Sequence, residues 1–158
     1  MKSKALIIIF LLISTSLMAA RVFPRNNAEQ FREGTYIHID NMVIEFNEAN
    51  ATVNIEYHLA PFAYAYTFFF GSKNLEPKIN EVFANFKEVK IQKIGYNSAT
   101  IQITNISKRN GENYMHESTK LGMPPDVLTI VYPRNQGTKE LQNPNSTLNI
   151  FYPAGPKT

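Results

Sequence analysis

The sequence predicts an α+β fold, an antiparallel sheet with two short helices packed on one face, preceded by an N-terminal signal or anchor helix. Three observations carry this. Apolar and polar residues alternate with a period of two in several stretches, the pattern of half-buried strands. Two segments between those stretches have helical spacing with helix start and stop residues. The first twenty residues place Lys2 and Lys4 ahead of an apolar run from Ala5, the layout of an export signal.

That apolar stretch reaches Ala20 with Ser14, Thr15 and Ser16 inside it, and is short beside the roughly 20 residues a spanning helix needs. The organisation expected is a signal peptide or membrane anchor over 1–20, a polar arm over 21–34 and a single extracytoplasmic domain over 35–158. Without residues 1–20 the chain has 138 residues, enough for one domain with a real core. It then carries 14 Lys plus Arg against 13 Asp plus Glu. The charges are spread along the chain, so the basic stripe that a nucleic-acid backbone requires is missing. With no cysteine there is no disulfide framework, thiolate metal site, cysteine nucleophile or lipid-bearing cysteine.

In the domain, Ile37 and Ile39 oppose Tyr36, His38 and Asp40, after which Met42, Ile44 and Phe46 alternate with Val43 and Glu45. This is a strand. Asn47 to Asn50 supplies turn residues, and Val53, Ile55, Tyr57 and Leu59 then alternate with Asn54, Glu56 and His58 in the clearest half-buried strand of the chain. Residues 62–70 fit either period; Pro61 at a first turn and Gly71 just past the end favour a helix. Its aromatics are expected to fill the space between helices and sheet. Leu75, Ile79, Val82, Phe83 and Phe86 give a second helix, with Asn74 as N-cap and Pro77 in the first turn. Its apolar side is expected to meet Val53, Ile55, Tyr57 and Leu59 in the core.

Val89, Ile91 and Ile94, a turn at 95–98, and Ala99, Ile101 and Ile103 form a hairpin. A charged turn surrounds Gly111, Asn113 to Thr119 is a short strand, and 122–125 breaks it. Val127 to Tyr132 and Thr147 to Tyr152 are two last strands, each ended by a proline, as edge or terminal strands permit.

His38 with Asp40, and Glu56 with His58, each project to one side of their strand, because side chains two apart share a face. If the two strands are neighbours, four nitrogen and oxygen donors converge in a set suited to zinc or another borderline divalent ion. If not, they are the wet side of a half-covered sheet, and this is the expectation. His116 beside Glu117 is expected at the surface. No nucleophile elbow, S-x-x-K motif or glycine-rich phosphate loop occurs, so no catalytic residues are assigned and no cofactor is expected. Three N-x-[ST] sequons, at Asn50, Asn105 and Asn145, are candidate glycosylation sites in an exported chain.

Phe70-Gly-Ser-Lys-Asn-Leu-Glu-Pro77, the segment Tyr114 to Gly122 and Asn149-Ile-Phe-Tyr152 resemble a family of uncharacterised exported archaeal proteins. The resemblance covers most of the domain, implies an archaeal extracytoplasmic protein, and transfers no activity or site residues. The reading is therefore a non-catalytic domain, secreted or anchored to the cell membrane by its N-terminus, that interacts with a protein or an envelope component. An alternative is a small metal-dependent hydrolase using His38, Asp40, Glu56 and His58. A third is a self-assembling surface or filament subunit that pairs through the edge strand Thr147 to Tyr152. Membrane contact is expected only through residues 1–20, where they are not cleaved.

Overall fold

A computed structural model describes residues 36–154; the expected export segment and polar arm, and the last four residues, lie outside the described part. Two long strands, β1 (Ile37–Asn47) and β2 (Asn50–Leu59), form a hairpin and are followed by helix α1 (Pro61–Phe70). A 3-10 turn, Ser72–Leu75, leads into helix α2 (Glu76–Val82). Then come β3 (Glu88–Ile94), β4 (Ser98–Thr104), β5 (Lys108–Asn110), β6 (Asn113–His116), β7 (Val127–Val131), β8 (Thr138–Gln142) and β9 (Ile150–Pro153). β8 has no counterpart in the sequence reading.

The strands form two sheets, one six-stranded in the order β3-β4-β2-β1-β7-β8 and one three-stranded in the order β5-β6-β9. The larger sheet corrects the expectation of an antiparallel one, because β7 runs parallel to β1 from Asn41 opposite Val127 to Glu45 opposite Val131. The cause is connectivity. Hairpin turns fix β1 against β2 and β3 against β4, whereas β7 reaches the free edge of β1 only after a long excursion of chain, and such a connection permits parallel entry.

One face of the large sheet is apolar: Ile37, Ile39, Met42, Ile44 and Phe46 of β1, Val53, Ile55 and Tyr57 of β2, Ile101 and Ile103 of β4, and Leu128 and Ile130 of β7 are buried. They form one core with Leu75, Ile79, Val82 and Phe83 from the helical turns and Tyr114, Ile150 and Tyr152 from the small sheet. The expected α2 face is thus the observed one, although the helix stops at Val82 and Phe86 is only partly buried. Asn74 gives no N-cap here, since the helix starts from Leu75 after the 3-10 turn. Tyr57 and Tyr152 enter the core with their hydroxyls hydrogen-bonded. Tyr57 donates to Gly95 O at 2.8 Å, and burial pushes its pKa up to about 12.

The aromatic segment departs most from expectation. Of α1, only Ala63 and Thr67 are buried, four residues apart on one narrow side, while Phe68, Phe69 and Phe70 are 62%, 77% and 68% exposed. Small residues face the domain and large ones face outward, the reverse of an ordinary amphipathic helix.

His116 is the second reversal, because it is buried instead of superficial. The register of β6 on β9 pairs it with Ile150 and turns its ring inward against Phe46, with ring centroids 5.1 Å apart. Its Nδ1 donates to the carbonyl of Ile106 at 2.9 Å, which leaves Nε2 to accept from the Thr147 hydroxyl at 2.8 Å. Burial lowers its pKa from 6.5, against smaller raising effects of the Ile106 hydrogen bond and the Glu117 charge. Between the depressed folded value and 6.5, the unfolded chain binds more protons than the folded one, so folding stability drops as pH falls through this window. Urea melts from neutral pH to about pH 5 are expected to show this loss, and His116→Gln to flatten that part of the profile. An unchanged pH slope in the variant would show that other groups carry it.

Candidate metal centre

The second face of the large sheet is polar, and the donors predicted from sequence lie on it. β1 and β2 are neighbours, and His38 stands directly opposite His58. Their ring centroids are 4.8 Å apart. Two imidazoles thus stand side by side on this solvent-exposed face.

The position of Asp40 follows from an irregularity in β1. Pairing runs Ile39 with Tyr57 and then Asn41 with Glu56, so two residues of β1 oppose one of β2 across this step. This is a β-bulge, a device that re-aims a side chain at the point of insertion. It also explains the phase change from Ile37 and Ile39 to Met42, Ile44 and Phe46, all of which are buried. Asp40 Oδ1 lies 2.7 Å from Nδ1 of His58 and 4.0 Å from Nε2 of His38.

Asp126 completes the cluster and was missed in the sequence. It immediately precedes β7, and Pro124 and Pro125 before it have no N–H to give to a ladder, so pairing with β1 begins at Asp126. Its N–H donates to Ile39 O at 3.0 Å and its carbonyl accepts from Asn143 N at 2.7 Å. Both carboxylate oxygens lie 3.0 Å from Nε2 of His38. Only the parallel pairing of β7 with β1 brings Asp126 to this place. An acid between two prolines and an apolar strand is a local hint of a strand entry, but it names no neighbour.

Glu56 does not join. The bulge sets it opposite Asn41, whose side-chain amide donates to Glu56 Oε2 at 3.0 Å.

Donor atoms of His38, Asp40 and Asp126 all fall within 4.8 Å of one another, and His58 touches the same Asp40 oxygen. Two donors that share a tetrahedral zinc ion at 2.0–2.2 Å stand about 3.3–3.6 Å apart. The observed separations of 2.7, 3.0 and 4.0 Å bracket that spacing. With neutral imidazoles the two aspartates carry two negative charges, which a divalent cation balances. The four side chains are 38–66% exposed, so an ion reaches them directly from solvent.

Asn50 and Asn105 lie at strand ends, and Asn145 lies in the connection between β8 and β9. Asn50 Oδ1 accepts from the backbone N–H of Asn105, and Asn105 Nδ2 donates to both carboxylate oxygens of Glu88, so these two amides are engaged within the domain. Asn145 is exposed, and its carbonyl accepts from Leu121 N.

Fold and site together define an α+β chain, mostly strand, with a six-stranded mixed sheet, a three-stranded antiparallel sheet and two short helices, bearing a two-histidine, two-aspartate cluster on its open face. No family model, curated protein or solved structure matches it.

Proposed function

We propose that the protein is an exported, non-catalytic domain that binds a borderline divalent metal such as zinc through His38, Asp40, His58 and Asp126. One observation carries this reading: donor atoms of His38, Asp40 and Asp126 lie within 4.8 Å of one another on one sheet face and His58 sits on the same Asp40 oxygen, in a set that favours such ions over calcium or magnesium. With His58 as the fourth ligand the tetrahedral shell is filled, which leaves no position for an activated water and favours binding over hydrolysis. Export is supported by Lys2, Lys4 and the apolar run that follows them.

Zinc titrated calorimetrically into metal-free full-length chain is expected to bind one ion per chain. Asp126→Asn and His58→Ala should each weaken binding by at least the roughly 10–100-fold seen when the shell around a metal ligand is disturbed. Glu56→Gln, tied to Asn41 outside the cluster, should leave affinity unchanged. Equal affinities in all three variants and the parent chain would contradict the assignment.

A further inference from the structure

Helix α1 presents a surface that the metal site does not use. Tyr64, Phe68, Phe69 and Phe70 are 53–77% exposed. At about 150–250 Å² of surface per large ring, these four alone expose roughly 400–600 Å², the size at which an apolar patch on a soluble domain marks an interaction surface. The helix has no charged residue, and beside the 3-10 turn that follows it Lys73, Glu76 and Lys93 line a shallow groove. Exposed aromatic rings that include a tyrosine have the composition that settles at the boundary between lipid headgroups and acyl chains.

The identity of the occupant follows from where the chain enters the domain. Thirty-five residues precede the described part, among them the apolar run of the export segment. They join it at Tyr36, whose carbonyl accepts a hydrogen bond from the N–H of Ala60, the residue before α1, at 2.9 Å. The first described residue therefore lies beside the start of the aromatic helix, and a chain held in the membrane by the preceding segment enters the domain at that point. With only ten residues, α1 is far too short to cross a bilayer, and among the described residues no helix is long and apolar enough to do so.

We infer that α1 is a membrane-docking element that lies flat on the bilayer surface with Phe68, Phe69 and Phe70 in the headgroup and acyl boundary. Membrane contact is then made at two places, the N-terminal segment and α1. The polar sheet face with its histidines needs no lipid contact in this arrangement.

The chain has no tryptophan, so a single one is a clean probe. Full-length Phe69→Trp is reconstituted into phosphatidylcholine and phosphatidylglycerol vesicles with brominated acyl chains. Full-length Phe151→Trp, on β9 and 65% exposed at the starting residue, is the reference. Trp fluorescence at 69 is expected to shift to the blue and to lose most of its intensity to the brominated lipid, while that at 151 does neither. Because both chains keep the N-terminal segment, anchoring alone cannot produce the difference. A blue-shifted signal at 69 that resists the brominated lipid would mean that protein covers the helix, either another segment, a second copy or a partner, and would overturn the inference. Emission at 69 like that of a solvated indole would overturn it equally.

Discussion

Phe83→Ala is expected to lower the stability of the domain by about 3–5 kcal/mol, the cost of emptying a large aromatic site in a close-packed core. Phe83 is 1% exposed, sits directly after α2, and packs against Phe86 with centroids 5.8 Å apart. It is the largest side chain that the helical turns add to the core. Phe86, only partly buried, provides an internal comparison, and its alanine variant should lose clearly less. Urea denaturation of both variants checks this. Equal losses at the two positions would mean that the helical turn is not seated on the sheet as described.

Gly122→Ala should be comparably damaging although it adds one methyl group. A Cβ at this position would fall 1.8 Å from the carbonyl oxygen of Glu81 and 2.9 Å from its carbon, both backbone atoms of α2 that cannot swing aside. Gly122 N–H also donates to Val82 O at 2.9 Å, satisfying a carbonyl at the end of that helix. Relief of the clash requires the β6–β7 connection around Gly122 to move away, which breaks this bond and draws the adjacent buried Leu121 from the core. The expected loss lies at or above the roughly 3 kcal/mol upper range for overpacked sites. For a domain of this size that lowers Tm by roughly 10–15 °C. A melt superimposable on that of the parent chain would place Gly122 away from α2.

Much of the fold was legible because it is local. The period-two runs of β1, β2 and β4 and Ile79, Val82 and Phe83 of the α2 spacing bury residues they advertise, while Val89, Ile91 and Ile94 of β3 and Phe86 pack against the core only partly buried. The slip from Ile37 and Ile39 to Met42 and Ile44 was visible as a change of phase, and its structural cause is the bulge that presents Asp40. The parallel docking of β7 was not legible, since nothing in Val127 to Val131 encodes which edge it will join, and Asp126 stayed hidden with it. For the same reason Glu56 looked like a ligand: period two places it beside His58, but the bulge in the partner strand gives it Asn41 instead.

α1 shows a different limit. Pro61 and Gly71 marked its ends correctly, yet large rings were assigned to the core by size. The packing side is the small pair Ala63 and Thr67, which lets the helix lie close to the domain while the rings remain outside. His116 erred in the opposite direction, because a histidine beside an acid looks superficial until both ring nitrogens find buried partners in Ile106 and Thr147.

Metal binding on the open sheet face is tested most directly by crystals of the protein grown with zinc and measured above and below the zinc absorption edge. The expected result is an anomalous peak at about 2.0–2.2 Å from one ring nitrogen each of His38 and His58 and from carboxylate oxygens of Asp40 and Asp126. A zinc peak elsewhere, or none on this face at a concentration that saturates the protein in solution, would contradict the assignment.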